Sequence, residues 1–127
     1  MATATELAGA KPPTGIDSIS FVPTLNGNSE QQLQHEFLYW EFHEGGFRQA
    51  ALYQGRWKGI RTDSPDAPVQ LFDTETDIAE VTNVAANHPE IAMKISDYLQ
   101  FARTEIPAWE PKWEAPAQKN SKKATSR

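Results

Sequence analysis

The residues with the most chemical potential lie between Glu41 and Arg48, where two acids, a histidine and an arginine flank a pair of glycines. Glu41, His43, Glu44 and Arg48 sit on or beside strand-forming runs, together with Lys58 and Arg61. One reading is a solvated sheet face whose cross-strand ion pairs each contribute little. A sharper one turns the segment from Glu41 to Arg48 into a cleft, with His43, Glu44 and Arg48 contacting an anionic or sugar substrate. Trp40, Trp57, Tyr39 and Tyr53 offer a stacking platform for sugars, although aromatics at strand positions more commonly serve a core.

Other constellations fail on inspection. A metal site from His35, His43 and His88 requires a polar connection, a strand end and a helix start to converge, so surface or capping roles are expected. The acids of Asp73-Thr-Glu-Thr-Asp77 alternate as in a calcium loop, but Ile78 stands where glycine is needed and Val84 where the bidentate glutamate is needed. Gly45-Gly46 joins two strands and opens no helix, so it is no phosphate loop. No Gly-x-Ser-x-Gly elbow occurs. These residues form no self-contained active site.

The elements that position them follow from periodicity. Phe37–Phe42 is aromatic-rich and bounded by Glu44-Gly45-Gly46, which predicts a strand. Phe47–Tyr53 and Arg56–Arg61 are two more, joined across Gln54-Gly55 by the length of a tight hairpin. After the proline-rich 64–68 loop, Val69–Phe72 gives a fourth strand and completes an antiparallel meander. Asp77 and Glu80 have capping-box spacing, predicting a helical turn or two through Val81. Asn87 or His88 opens a longer helix with Pro89 in its first turn. In it Ile91, Ile95, Tyr98, Leu99 and Ala102 form one apolar stripe that should lie on the sheet. Pro107 is expected to end this helix, with Trp109 and Trp113 folding back.

Ahead of the meander, Ala2–Ala8 reads as helix stopped by Gly9, with nothing resembling an N-cap at its start. Two prolines make 11–15 an extended loop. Ser20 caps a short turn ended by Asn26-Gly27, with Phe21, Val22 and Leu25 expected to pack inward.

The 127 residues, 39% hydrophobic and 23% charged, permit one small soluble domain. No apolar run approaches the roughly 18–20 residues that span a bilayer, so no membrane partner is expected. The first residues lack the basic and apolar regions of a signal peptide, so this polypeptide by itself is expected to stay where it is made. There is no cysteine, hence no disulfide and no thiolate chemistry. The net charge of −5 argues against nucleic acid. Lys119, Lys122, Lys123 and Arg127 concentrate positive charge in a tail expected to be disordered.

Several runs, taken in order, resemble the C-terminal part of sulfatases of the arylsulfatase and N-sulfoglucosamine sulfohydrolase type. They are Glu6–Ala10, Gly15–Leu25, Leu38–Phe42, Arg48–Ala50, Gly55–Lys58, Leu71–Asp73, then Asp77, Glu80, Asn83 and the His88-Pro-Glu helix start. The likeness covers roughly residues 4–106. Ser18, Arg56 and Ile78 depart from the family's usual glycine, aspartate and proline.

The resemblance implies an α+β fold of the alkaline-phosphatase-like superfamily: a four-stranded antiparallel meander with a C-terminal helix packed on it. Residues 1–35 would then end a catalytic-domain helix and its connecting loop, 36–106 would form the subdomain, and 107–127 the tail. The family's chemistry implies a formylglycine, made within a Cys/Ser-x-Pro-x-Arg motif, beside a calcium ion. No such motif occurs in this chain. The implied partner is an N-terminal sulfatase catalytic domain, on the same parent chain or a separate polypeptide, with a sulfated carbohydrate or aryl sulfate as the parent's substrate. Met1 then reads as an internal methionine of a longer enzyme. A sheet with a helix on one face also leaves apolar surface on the other. The alternative is a stand-alone carbohydrate-binding β-module.

Overall fold

A computed structural model describes residues 1–104, in two compact units divided between Glu36 and Phe37. The expectations for Pro107, Trp109, Trp113 and the basic tail concern residues outside those described.

In the first unit, helix α1 (Ala2–Leu7) stops at Gly9, whose φ of +66° is the left-handed conformation glycine adopts without strain. Gly9 N–H donates to the Glu6 carbonyl and Ala10 N–H to that of Thr5, the paired bonds of a Schellman ending. Its other end is capped from a distance: Ala2 N–H donates to Ser18 Oγ at 3.1 Å. The Ser18 hydroxyl thus satisfies an otherwise orphaned donor. Helix α2 (Val22–Leu25) starts beside Ser20, whose Oγ accepts from Val22 N–H. Phe21 and Leu25 stay mostly exposed, against the expectation that they pack inward. One helical turn turns only Val22 and Pro23 part-way inward, and the unit has just one buried apolar residue, Ala2.

The second unit is the meander, with strands β1 (Phe37–Phe42), β2 (Arg48–Tyr53), β3 (Trp57–Thr62) and β4 (Gln70–Asp73) in spatial order β1-β2-β3-β4. All pairs are antiparallel. The β2–β3 turn holds three residues rather than two: Tyr53 pairs with Trp57, and Gln54 and Gly55 both take positive φ. Helix α3 (Pro89–Phe101) has His88 at its N-cap and proline in its first turn. It ends at Phe101, well before Pro107.

The stripe on α3 meets the sheet as its spacing requires. Ile95 and Leu99 pack with Ala51, Leu71 and Val69, and Ile91 and Tyr98 flank them. Ile95, Leu99 and Leu71 are almost fully buried, each stabilising the fold by about 1.5–3 kcal/mol.

The helical turns expected at 77–81 do not form. Asp77 Oδ2 instead accepts from the N–H groups of Val81 and Thr82. Glu80, at φ +55°, reaches Lys58. A helix would move Glu80 out of that ion pair, and capping without propagation is how a short acidic turn satisfies its backbone.

Candidate functional site

Alternate residues of a strand share a face, so Tyr39 and Glu41 on β1, and His43 just beyond it, project on the side of α3. They form a connected polar chain. Gln49 Nε2 donates to Tyr39 Oη at 3.1 Å, and Tyr39 donates to Glu41 Oε2 at 2.7 Å. His43 Nε2 lies 2.6 Å from Glu41 Oε1. An ionised carboxylate only accepts, so the ring nitrogen facing it carries the proton. Arg103, just past α3, approaches Glu41 Oε2 to 3.7 Å. Burial raises the Tyr39 phenol well above its ordinary value, and the bond to Glu41 and its negative charge add to the effect.

This chain borders a cleft of about 430 Å³ between the sheet and the end of α3. Glu41, Gln49, Arg61, Asp66, Gln100 and Arg103 supply its polar lining, with Phe47, Pro65 and Leu99 completing it. Arg61 is 4% exposed. Its Nε donates to the Ala67 carbonyl at 3.0 Å and its Nη2 to Ser96 Oγ at 2.6 Å.

The anticipated trio is therefore divided. His43 faces the cleft side in a nearly buried pair with Glu41, rather than on the surface. Glu44 is an exposed turn residue. Arg48 is exposed on the opposite sheet face, in register with Phe42 and Thr62. Tyr39, Gln49, Arg61 and Arg103 were not singled out together by sequence. The period of two along β1 could have joined Tyr39 to His43, whereas Arg103 reaches the site through tertiary packing alone.

The other candidates have structural employment. His88 stands at the N-cap position of α3 without a side-chain capping bond, and its ring lies 4.6 Å from that of Trp57, while Arg56 sits 4.6 Å from the centroid of the same ring. Trp57 is thus in use as a packing surface. Asp73 accepts two hydrogen bonds from Arg56, which hold its carboxyl below the usual range. Among the described residues no three acids or histidines converge as metal ligands. Asp73 and Asp77, engaged by Arg56 and by backbone N–H groups, do not form a calcium loop.

The motif residues that carry the family resemblance also prove to be fasteners. Asn83 Oδ1 accepts from Leu71 N–H and Ala85 N–H, tying the segment after β4 back to the sheet. Lys58–Glu80 and the Asp77 turn fix the same segment from its other end. Their spacing records a fold.

No family model matches the chain. Arylsulfatase K of Xenopus laevis is 29% identical over 107 residues, covering 77% of this chain, and that of Mus musculus is 30% identical over the same share. The chain spans only about a fifth of those relatives, 20% and 19% of their lengths. A solved structure from work on glycosaminoglycan metabolism by Bacteroides thetaiotaomicron, designated a 6S-sulf protein, superposes with a TM-score of 0.58 at 25% identity. It covers 82% of this chain and 24% of the solved one. A second, solved with its substrate D-glucosamine-2-N,6-O-disulfate, gives a TM-score of 0.60 over 80% of this chain and 22% of its own, at 17% identity. The order of motifs, the meander with its single packed helix and these matches together place the chain in the sulfatase family, as the part that forms the C-terminal subdomain.

Proposed function

We propose that the chain serves as the C-terminal subdomain of a sulfuric ester hydrolase and is inactive by itself. The observation that carries this is the bare face of the meander. Leu38, Trp40 and Phe42 stand in alternation on β1, 40%, 49% and 54% exposed, on the side away from α3. Three large apolar side chains in one row are what a subdomain presents to a neighbour. In this reading an N-terminal sulfatase catalytic domain, in the same parent chain or a separate polypeptide, covers that face. It also supplies the formylglycine nucleophile and calcium site. The substrate is an aryl or carbohydrate sulfate, and the Trp40–Glu44 segment with His43, Glu44 and Arg48 forms the rim of the substrate pocket.

Hydrolysis of an aryl sulfate, measured with this chain alone and with a polypeptide carrying the catalytic domain, tests the reading. Activity is expected only in the mixture. Turnover by the chain alone overturns it. Silence in both, with glycan binding by the lone chain, favours a stand-alone carbohydrate-binding β-module.

A further inference from the structure

We propose that the outer edge of β1 pairs with the same edge of a second copy of this chain, joining the two meanders into one antiparallel, two-fold symmetric sheet.

The two edges of the meander differ. At β4 both outward groups of Leu71 are in use: its N–H donates to Asn83 Oδ1 and its carbonyl accepts from Val84 N–H. The segment after β4 thus closes that edge. At β1 the backbone pattern can be traced strand by strand. The Phe47 carbonyl accepts from Asp63 N–H, so odd-numbered residues of β2 bond to β3 and even-numbered ones to β1. Through the β1–β2 register, Leu38, Trp40 and Phe42 then bond inward, and the backbone groups of Phe37, Tyr39 and Glu41 face outward. Among the described residues none of these outward groups has a hydrogen-bond partner. Helix α3 lies over β2 and β3. The strand also has no proline or lysine, and its pairing with β2 runs without a bulge, so the usual guards of a bare edge are missing.

The occupant follows from the pattern of the strand itself. A two-fold axis through Trp40 sets Trp40 against its own copy, Leu38 against Phe42, and Tyr39 against Glu41. Every member of the apolar row then meets an apolar partner, and each carboxylate faces a phenol. Moving the axis to Tyr39 opposes Phe37 to Glu41, and moving it to Glu41 sets two carboxylates together, which is destabilising. Because Trp40 bonds inward, the tryptophan pair is of the non-hydrogen-bonded kind, with Cα atoms about 4.5 Å apart and side chains at their closest. Glu36 and Glu44 fall beyond the ends of β1, where salt screens their repulsion.

This pairing uses the edge of β1 and stands whether or not a catalytic domain covers the face. Its test uses this chain alone and measures no hydrolysis, so either reading can fail without the other. Sedimentation equilibrium of the full chain in about 0.15 M sodium chloride should show the mass rising from one chain to two and stopping there. The chain has no cysteine, so introduced ones report the register. With oxidised glutathione, Trp40→Cys should form a disulfide between copies, because about 4.5 Å lies within the roughly 4.4–6.8 Å that a disulfide spans. Leu38→Cys and Phe42→Cys should each cross-link at least about tenfold more slowly alone than when the two variants are mixed. All three side chains are 40–54% exposed, and melts like the parent's should confirm that the variants fold. The proposal is overturned if the parent stays a single chain up to about 1 mM, or if its mass keeps rising beyond two chains. It is equally overturned if Leu38→Cys alone cross-links as fast as Trp40→Cys.

Discussion

Gly59 on β3 lies directly beneath Ile95 of α3: a Cβ built on the glycine would overlap Ile95 Cγ2 and come within 2.9 Å of Val69 Cγ1. The helix reaches the sheet this closely because β3 has no side chain at that point. Gly59→Ala should therefore cost about 1–3 kcal/mol through overpacking, lowering the thermal midpoint by several degrees. Ile95→Ala alone should cost about 2–5 kcal/mol by leaving a cavity. In the double variant the new methyl moves into that cavity, so the combined loss should fall well short of the sum. Strictly additive losses in thermal melts would refute this account of how α3 is seated.

The clasp between Arg56 and Asp73 makes stability depend on acid. Its two hydrogen bonds depress the Asp73 carboxyl, with burial opposing the shift and a backbone N–H assisting it. A depressed carboxyl contributes stability that is present above its unfolded value, about 3.9, and lost as pH falls through the folded one. The parent chain's midpoint should accordingly drop more steeply between about pH 5 and pH 2 than that of Asp73→Asn. Parallel slopes in melts across that window would show that the clasp does not govern the acid limb.

Tyr39 sets the opposite limb. Burial, followed by the Glu41 hydrogen bond and charge, raises its phenol, while Gln49 and Arg103 pull the other way. The unfolded chain releases this proton near pH 10 and the folded chain retains it, so the stabilising contribution is complete below about pH 10 and is lost above it. Tyr39→Phe should flatten the alkaline decline, while costing about 1–2 kcal/mol at neutral pH through the lost hydrogen bonds. Ultraviolet titration supplies the check: a tyrosine that ionises above the usual phenol range should be missing from the variant.

Much of this architecture was legible in the residue order, and the reasons are physical. The strands showed themselves through runs of aromatic and β-branched residues between glycine or proline turns, and α3 through the spacing of Ile91, Ile95 and Leu99. Asp77–Glu80 misled because capping-box spacing states how a backbone could be satisfied, not whether Lys58 will claim the glutamate first. The site was only half visible. Glu41 and His43 could be suspected from their neighbourhood, but Gln49 and Arg61 look like ordinary strand residues until register sets them opposite one another. Arg48, by contrast, lies one residue from Gln49 in sequence and on the other side of the sheet, which is what a period of two imposes.

That other side carries the most direct test of the proposed partnership. Trp40 and Phe42 are about half exposed, so replacing them with polar residues removes little packing within this chain. Trp40→Gln and Phe42→Gln should shift the chain's own stability by about 0.5 kcal/mol or less, and should make it more soluble. If a catalytic domain covers this face, the same changes remove apolar contact area at the centre of the interface. Sulfatase activity of the mixture should then fall at least about tenfold at limiting concentrations, with full recovery when the two polypeptides are raised well above their weakened dissociation constant. Undiminished activity at limiting concentration would place the contact elsewhere. A collapse of the lone chain's melt would instead make Trp40 and Phe42 part of this unit's own core.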